Sequence, residues 1–389
     1  MILNNSSGNP ATTRVHYLDA IRGLAALSVL WNHFYVAYGI EYFVPILRTP
    51  LHLPFDGYAA VSMFFVLSGY VLSARYFAPA ALKELNIAAF YTKRCCRIML
   101  PFLAAFALSY LVKVGFYQFI EGNDPELSRW GQKHWSASKL DLPVWDYMKA
   151  AVMVLPNTYF PLIPQAWTLN IEMGMSFALP FLVLIACRSS LWLIFFTVIM
   201  TNLLGAYIFV FHFTMGILLA KHRLFLVNIF SRNKFFPLGI LIIGFIFYTY
   251  RLAPEAIALK LSHDPMRFIN GIGASLLLIW IMTNSSAQRF LSSKPLLFLG
   301  KVSYSLYLIH LVVLLTFSQY LVSILNGIGM ESWQSYWMNF LLTTTVSLFI
   351  ANLGFRYVEI PSMRLGASLS QKIVKLSTGS ALDRIRRPS

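Results

Sequence analysis

The stretch from Tyr17 to Tyr38, YLDAIRGLAALSVLWNHFYVAY, is long and apolar enough to cross a bilayer, yet it carries Asp19, Arg22 and His33. At 100° per residue, Arg22 and His33 fall within about 20° of each other, and Asp19 lies about 40° from His33. The rise from Arg22 to His33 is roughly 16 Å. One stripe of a helix therefore holds an Asp–Arg pair near one membrane face and an imidazole about halfway across. Ionisable groups at that depth face a protein-lined or wet interior, and they point by default to a reaction or a transport path. The structural alternative is a buried polar cluster that orders helix packing.

The rest of the chain fits a membrane setting. Of 389 residues, 58% are hydrophobic and 12% charged, against about 25% charged for a soluble domain. The expected fold is all-α: a polytopic integral membrane helical bundle. The net charge of +16 implies basic cytoplasmic loops and membrane lipid as a partner, not nucleic acid. Cys95, Cys96 and Cys187 make no disulfide framework and show no metal-ligand spacing. Residues 1–15 lack the pattern of a cleaved signal peptide, and no lipidation motif is found.

Spans are expected near 17–38, 58–77, 98–117, 166–187, 236–252, 268–284, 303–325 and 336–357. Between Leu191 and Ala220 runs a continuous apolar stretch that fits one long helix or two short ones turning near Asn202–Gly205. Charge decides between them. Two helices give ten spans, with 19 basic residues in the cytoplasmic segments and 8 outside; one helix reverses the balance to 9 and 18. The positive-inside rule selects about ten transmembrane helices with both termini cytoplasmic. The organisation expected is a cytoplasmic segment 1–15, a membrane domain 16–361 and a basic cytoplasmic tail 362–389. Pro361 is expected to stop the last helix, and the tail to be a flexible segment leaning on anionic lipid. The outer loop 118–165 carries Trp130, Trp135 and Trp145. Its end, cut by Pro156, Pro161 and Pro164, reads as an interfacial or re-entrant piece.

Four further stretches carry chemistry. Ser62, Ser68, Gly69 and Ser73 sit in the apolar run Phe55–Tyr76, where small polar residues allow close helix approach. Arg94 and Arg97 are i, i+3 neighbours beside Lys93, a fork suited to phosphate or an ordinary positive-inside cluster. Trp167 and Glu172 open the fourth span from the outer side, and Glu172 requires a partner there. Ser303, Tyr307 and His310 share one stripe of the GKVSYSLYLIH segment, next to Tyr304. His212 and Glu359 are local features that no spacing singles out.

Taken in order, LDAIRGLAALSVLWNH (18–33), FFVLSGY (64–70), RCCRIMLP (94–101), WTLNIE (167–172) and VSYSLYLIH (302–310) resemble the acyltransferase-3 family of integral membrane acyltransferases. The resemblance covers about 15–361. It implies transfer of an acyl group, acetyl in most members, from cytoplasmic acyl-CoA to a hydroxyl of a carbohydrate, glycolipid or other acceptor, in the plasma membrane or a bacterial inner membrane. By position it implies His33 as the catalytic imidazole with Arg22 as its companion, and Arg94 and Arg97 at the CoA phosphates; Glu172 joins the catalytic set and Lys93 the phosphate contacts on the residue reading above. Asp19, Trp167, Ser303, Tyr304 and His310 are the expected substrate contacts. Neither a metal nor a tightly bound cofactor is implied. Ala60 and Ser62 stand where many members have Gly and Asp, which points to a subgroup with its own acceptor. The roughly 28 residues after Pro361 leave no room for the esterase-like domain that some members carry.

The chemistry suits these residues. A thioester has a stable leaving thiolate and needs little acid assistance, whereas an acceptor hydroxyl needs a base, for which imidazole is the common choice. His33 serves either as that base or as an acyl carrier. The competing class is a proton- or ion-coupled transporter using Asp19, Arg22, His33, Glu172 and His310 as a relay. Transporters of that kind commonly carry inverted repeats, and no such symmetry is found in this chain.

Overall fold

The computed structural model describes residues 15–39, 46, 49–77, 86–117, 130–131, 142–153, 160–203, 208–231, 235–249 and 263–385. Among them there is no strand. The helices are α1 (His16–Tyr38), α2 (Gly57–Ser73), α3 (Ile87–Tyr117), α4 (Val144–Val152), α5 (Trp167–Arg188), α6 (Ser190–Leu203) and α7 (Phe209–Lys221). They continue with α8 (Arg223–Ser231), α9 (Phe235–Tyr248), α10 (His263–Thr283), α11 (Ser285–Leu291), α12 (Lys294–Leu315), α13 (Phe317–Gly327), α14 (Ser332–Gly354) and α15 (Ile360–Ile385).

Six described helical runs are long and apolar enough to cross a membrane, or seven if the bent pair α7 and α8 counts as one. Ser190–Thr201 and Phe236–Tyr248 are shorter apolar helices. α1 is not in the set, because Arg22, Asn32 and His33 lower its hydropathy. The structure thus supports a polytopic helical bundle with six or seven spans by length and composition, fewer than the ten expected. The apolar stretch 191–220 is divided between α6 and α7, as the charge balance requires; the turn expected near Asn202–Gly205 falls largely outside the described residues.

α1 and α12 form the centre. They run parallel and cross at Gly23 and Gly300, with backbone against backbone. A Cβ on Gly300 would lie 2.5 Å from the Asp19 carbonyl oxygen, and one on Gly23 would lie 2.7 Å from Leu299 Cβ. A second crossing joins α2 to α7, where Gly69 faces the Phe213 carbonyl and Gly216 faces the Val66 carbonyl. Lipid offers no hydrophobic drive for helices to associate, so small residues that let backbones approach supply the packing instead.

The segment before α5 is not a span. α4 is a nine-residue helix, and Leu162 and Ile163 are fully buried ahead of a 3-10 turn at Pro164–Ala166. Irregular backbone at this depth is tolerated because protein surrounds it. Trp135 lies outside the described residues.

Two expectations at the C-terminus are corrected. Pro361 does not stop a helix: α14 passes through a π-helical turn, Phe355–Glu359, into α15. Pro361 then sits just past the π-helical turn, within a helix that continues through it. The stretch from Ser362 is likewise helical as far as Ile385, not irregular. It packs along α3, with Gly366 against Cys96 and Asn86 Nδ2 donating to Ser377 Oγ. α3 has 31 residues, about 46 Å at 1.5 Å per residue, and so outruns an apolar core of about 30 Å. Its first turns find their partner in α15.

The α2–α7 crossing can be tested. Gly216→Val should lower the thermal midpoint of detergent-purified protein by the equivalent of about 1–3 kcal/mol, the usual cost of overpacking. Gly174→Ala, at a lipid-facing position of α5 with nothing within 4 Å of the added carbon, should leave the midpoint unchanged or raise it. Equal midpoints for wild type and Gly216→Val would contradict the crossing.

Candidate active site

The register set at Gly23 and Gly300 is carried ten residues along both helices, where His33 and His310 meet. His33 Nδ1 lies 2.9 Å from His310 Nε2, with the rings nearly parallel at 16°. His310 is fully buried. Its Nδ1 faces two carbonyl oxygens, those of Tyr307 at 2.8 Å and Leu306 at 3.2 Å. A carbonyl only accepts, so Nδ1 of His310 carries the proton. Neutral His310 then offers Nε2 as an acceptor, and His33 donates to it from Nδ1. The tautomer of His33 follows: its Nε2 is the unprotonated, basic nitrogen. On its other face His33 stacks on Trp130, with ring centroids 5.3 Å apart.

Toward the other end of α1 lies a cavity of about 670 Å³, lined by residues of α1, α2, α3, α5, α8, α12, α15 and the π-helical turn. Its lining includes six cations, Arg22, Arg75, Arg94, Arg97, Arg223 and Lys301, and three carboxylates, Asp19, Glu172 and Glu359. They are sorted by depth. Arg22 is bonded to Asp19 at 3.1 Å, and Arg94 to Glu172 at 2.9 Å. Arg94 also donates to Ser176 Oγ, and Ser68 donates to Glu172. Glu359, set inward by the π-helical turn, accepts from Ser305 Oγ at 3.1 Å. Arg75, Arg97, Arg223 and Lys301 are exposed at the mouth. Among the described residues, no carboxylate lies within ion-pair distance of Arg97, Arg223 or Lys301. Arg75 rests over the rings of Tyr76 and Phe90 and donates to Tyr76 Oη. Arg223 reaches the mouth because α8 bends 75° away from α7.

At its inner end the cavity reaches Thr168 and Tyr307 and includes neither histidine in its lining. Tyr307 is one helical turn before His310.

The site residues expected from the sequence divide as follows. Asp19, Arg22, Arg94, Arg97, Glu172, Ser303 and Tyr304 line the cavity. Tyr304 donates to the Ile98 carbonyl, and Ser303 to that of Gly300. His33 and His310 form the pair beyond it. Trp167 packs on Phe209 with centroids 5.4 Å apart, outside the lining. Lys93 also lies outside, its Cα beside Gly366. Arg94 and Arg97 both line the cavity but differ: Arg94 is buried and bonded to Glu172 and Ser176, whereas Arg97 is exposed. Glu172 meets Arg94 at cavity depth because α5 begins inside the bundle, where Gln165 bonds the carbonyls of Tyr307 and Leu308.

Sequence reasoning missed Arg75, Arg223, Lys301 and Trp130 as site residues, since basic residues at helix ends read only as topology signals.

The Arg94–Glu172 pair should prove structural. Arg94→Met leaves a largely buried carboxylate uncompensated, a loss of about 3–5 kcal/mol for a fully buried pair, and nearer the lower figure here because Glu172 keeps 26% of its side chain exposed. The thermal midpoint should fall accordingly, and the double substitution Arg94→Met with Glu172→Leu should recover part of the loss. A midpoint for Arg94→Met equal to wild type would contradict the pairing.

The acyltransferase-3 family model, an acyltransferase domain, matches residues 15–354. No curated protein and no solved structure matches the chain. The match takes in both histidines and nearly all of the cavity lining, and the chain belongs to the acyltransferase-3 family of membrane enzymes that transfer acyl groups.

Proposed function

We propose that the protein transfers a short acyl group, acetyl in the simplest case, from cytoplasmic acyl-CoA to a hydroxyl of a carbohydrate or glycolipid acceptor, with His33 as the base. The observation that carries this reading is the cavity: three cations at its mouth without carboxylate partners among the described residues, and an inner end one helical turn from the histidine pair. An excess of guanidinium and ammonium groups beside apolar walls suits a ligand with several phosphate charges and an apolar arm. CoA has both. Arg97, Arg223 and Lys301 take the phosphates, and the pantetheine arm runs inward past Arg22 and Phe64.

On this reading His33 Nε2 removes the proton of the acceptor hydroxyl as its oxygen attacks the thioester carbon. The C–S bond breaks, the C–O bond forms, and the proton is passed to the departing thiolate. His310 holds the ring of His33 in the productive tautomer. The donor side is assigned to the cytoplasm by the basic asymmetry of the loops, and the acceptor arrives from the opposite face, where Trp130 covers His33.

The test uses purified protein in detergent, acetyl-CoA as donor and a solubilised membrane extract of the host cell as acceptor, with free thiol release followed. His33→Ala should lower transfer by about 10²- to 10⁴-fold while CoA binding persists. Arg97→Gln, Arg223→Gln and Lys301→Gln should each raise the donor KM by about 1.5–3 kcal/mol, roughly ten- to hundredfold, if each makes a charge-assisted bond. Transfer by His33→Ala within about threefold of wild type would remove His33 as base, since a general base contributes far more. A wild-type donor KM in all three cation variants would remove the mouth as the phosphate site.

A further inference from the structure

Tyr307 lines the cavity one helical turn before His310, and it is held at both its hydroxyl and its carbonyl. The hydroxyl of Tyr307 lies 2.5 Å from Thr168 Oγ1 and donates to the Gln165 carbonyl oxygen at 3.2 Å. The Tyr307 carbonyl accepts from Gln165 Nε2 at 3.0 Å and from His310 Nδ1 at 2.8 Å. Phe64 presents its edge to the ring from one side at 5.8 Å, and His310 lies at 5.8 Å on the other. Tyr307 is only 6% exposed. Tyr307 belongs to the cavity lining, whereas His33 and His310 do not.

We infer that Tyr307 is the residue that selects the length of the transferred acyl group. The inference rests on the proposed acyl-CoA reading. For the acyl carbonyl to reach His33 Nε2, the ring must turn out of the line between cavity and base, and the room it gives up is the room the acyl group occupies. Leu306, Phe65, Leu169 and Thr168 are all buried, and Phe65, Leu169 and Thr168 share the cavity lining with Tyr307, so side chains rather than bulk solvent bound the space. A closely packed wall of this kind passes a small acyl group and excludes one several methylenes longer. The hydroxyl contacts to Thr168 and Gln165 return the ring to its place after transfer. The chemistry itself is unchanged: the acyl–sulfur bond breaks, the acyl–oxygen bond forms, and the acceptor proton travels by His33 to the thiolate.

The experiment offers an equal mixture of acetyl-CoA and octanoyl-CoA to the purified protein with the same membrane extract, and the two acylated products are counted by mass. Wild type should give acetyl product in large excess. Tyr307→Ala should move the octanoyl-to-acetyl ratio upward by about tenfold or more, the scale at which a wall discriminates chain length. Tyr307→Leu, apolar and nearer in volume, guards against loss of folding and should give a smaller shift in the same direction. A merely structural tyrosine would lower both products together and leave the ratio alone. An unchanged ratio in both variants, or a wild type that takes both donors equally, would overturn the inference. A wild type that transfers from neither donor would overturn the acyl-CoA reading itself, and the inference with it.

Discussion

The contact of Gly23 with Gly300 is the constraint on which the site depends. Two parallel helices touching backbone to backbone at one level stay close over the next turns, and a shift of register would carry His33 and His310 apart. With the crossing in place, the same ten-residue step along each helix brings the two imidazoles to 2.9 Å. The carbonyls of Tyr307 and Leu306 then fix the proton on His310 Nδ1, and that proton decides which nitrogen of His33 is basic. A packing decision made by two residues without side chains thus determines protonation about 15 Å away, at 1.5 Å per residue.

Charge is arranged along the same axis. The deep arginines, Arg22 and Arg94, have carboxylate partners, as groups with little access to water require. The exposed cations at the mouth have none among the described residues, where hydration can support them. The inner end is closed by neutral hydrogen bonds among Tyr307, Thr168 and Gln165. The gradient from unmatched cation to matched ion pair to neutral barrier suits a ligand that is polyanionic at one end and small and uncharged at the other.

Much of this was legible in the sequence. The stripe shared by Asp19, Arg22 and His33, and that of Ser303, Tyr307 and His310, are consequences of helical period alone. The division of residues 191–220 into two helices followed from counting basic residues. Other features depend on contacts between helices, which no local pattern encodes. Arg94 and Arg97 are three residues apart, yet one turns to Glu172 and the other to open space, because α5 starts inside the bundle. Arg223 joins the cavity only through the bend between α7 and α8. Trp130 reaches His33 from the segment between α3 and α4. Helicity beyond Pro361 went against the usual reading of proline, because a π-helical turn just ahead of it re-aims the chain.

The most direct test of the account is a density map of the purified protein with a thioether analogue of acetyl-CoA, in which a CH₂ group between sulfur and the acetyl carbonyl prevents transfer. The account predicts the CoA phosphates against Arg97, Arg223 and Lys301, with the acetyl end against Tyr307 and facing the His33–His310 pair. An analogue bound on the Trp130 side of His33, or a cavity that stays empty at saturating analogue while His33 is still required for transfer, would contradict it.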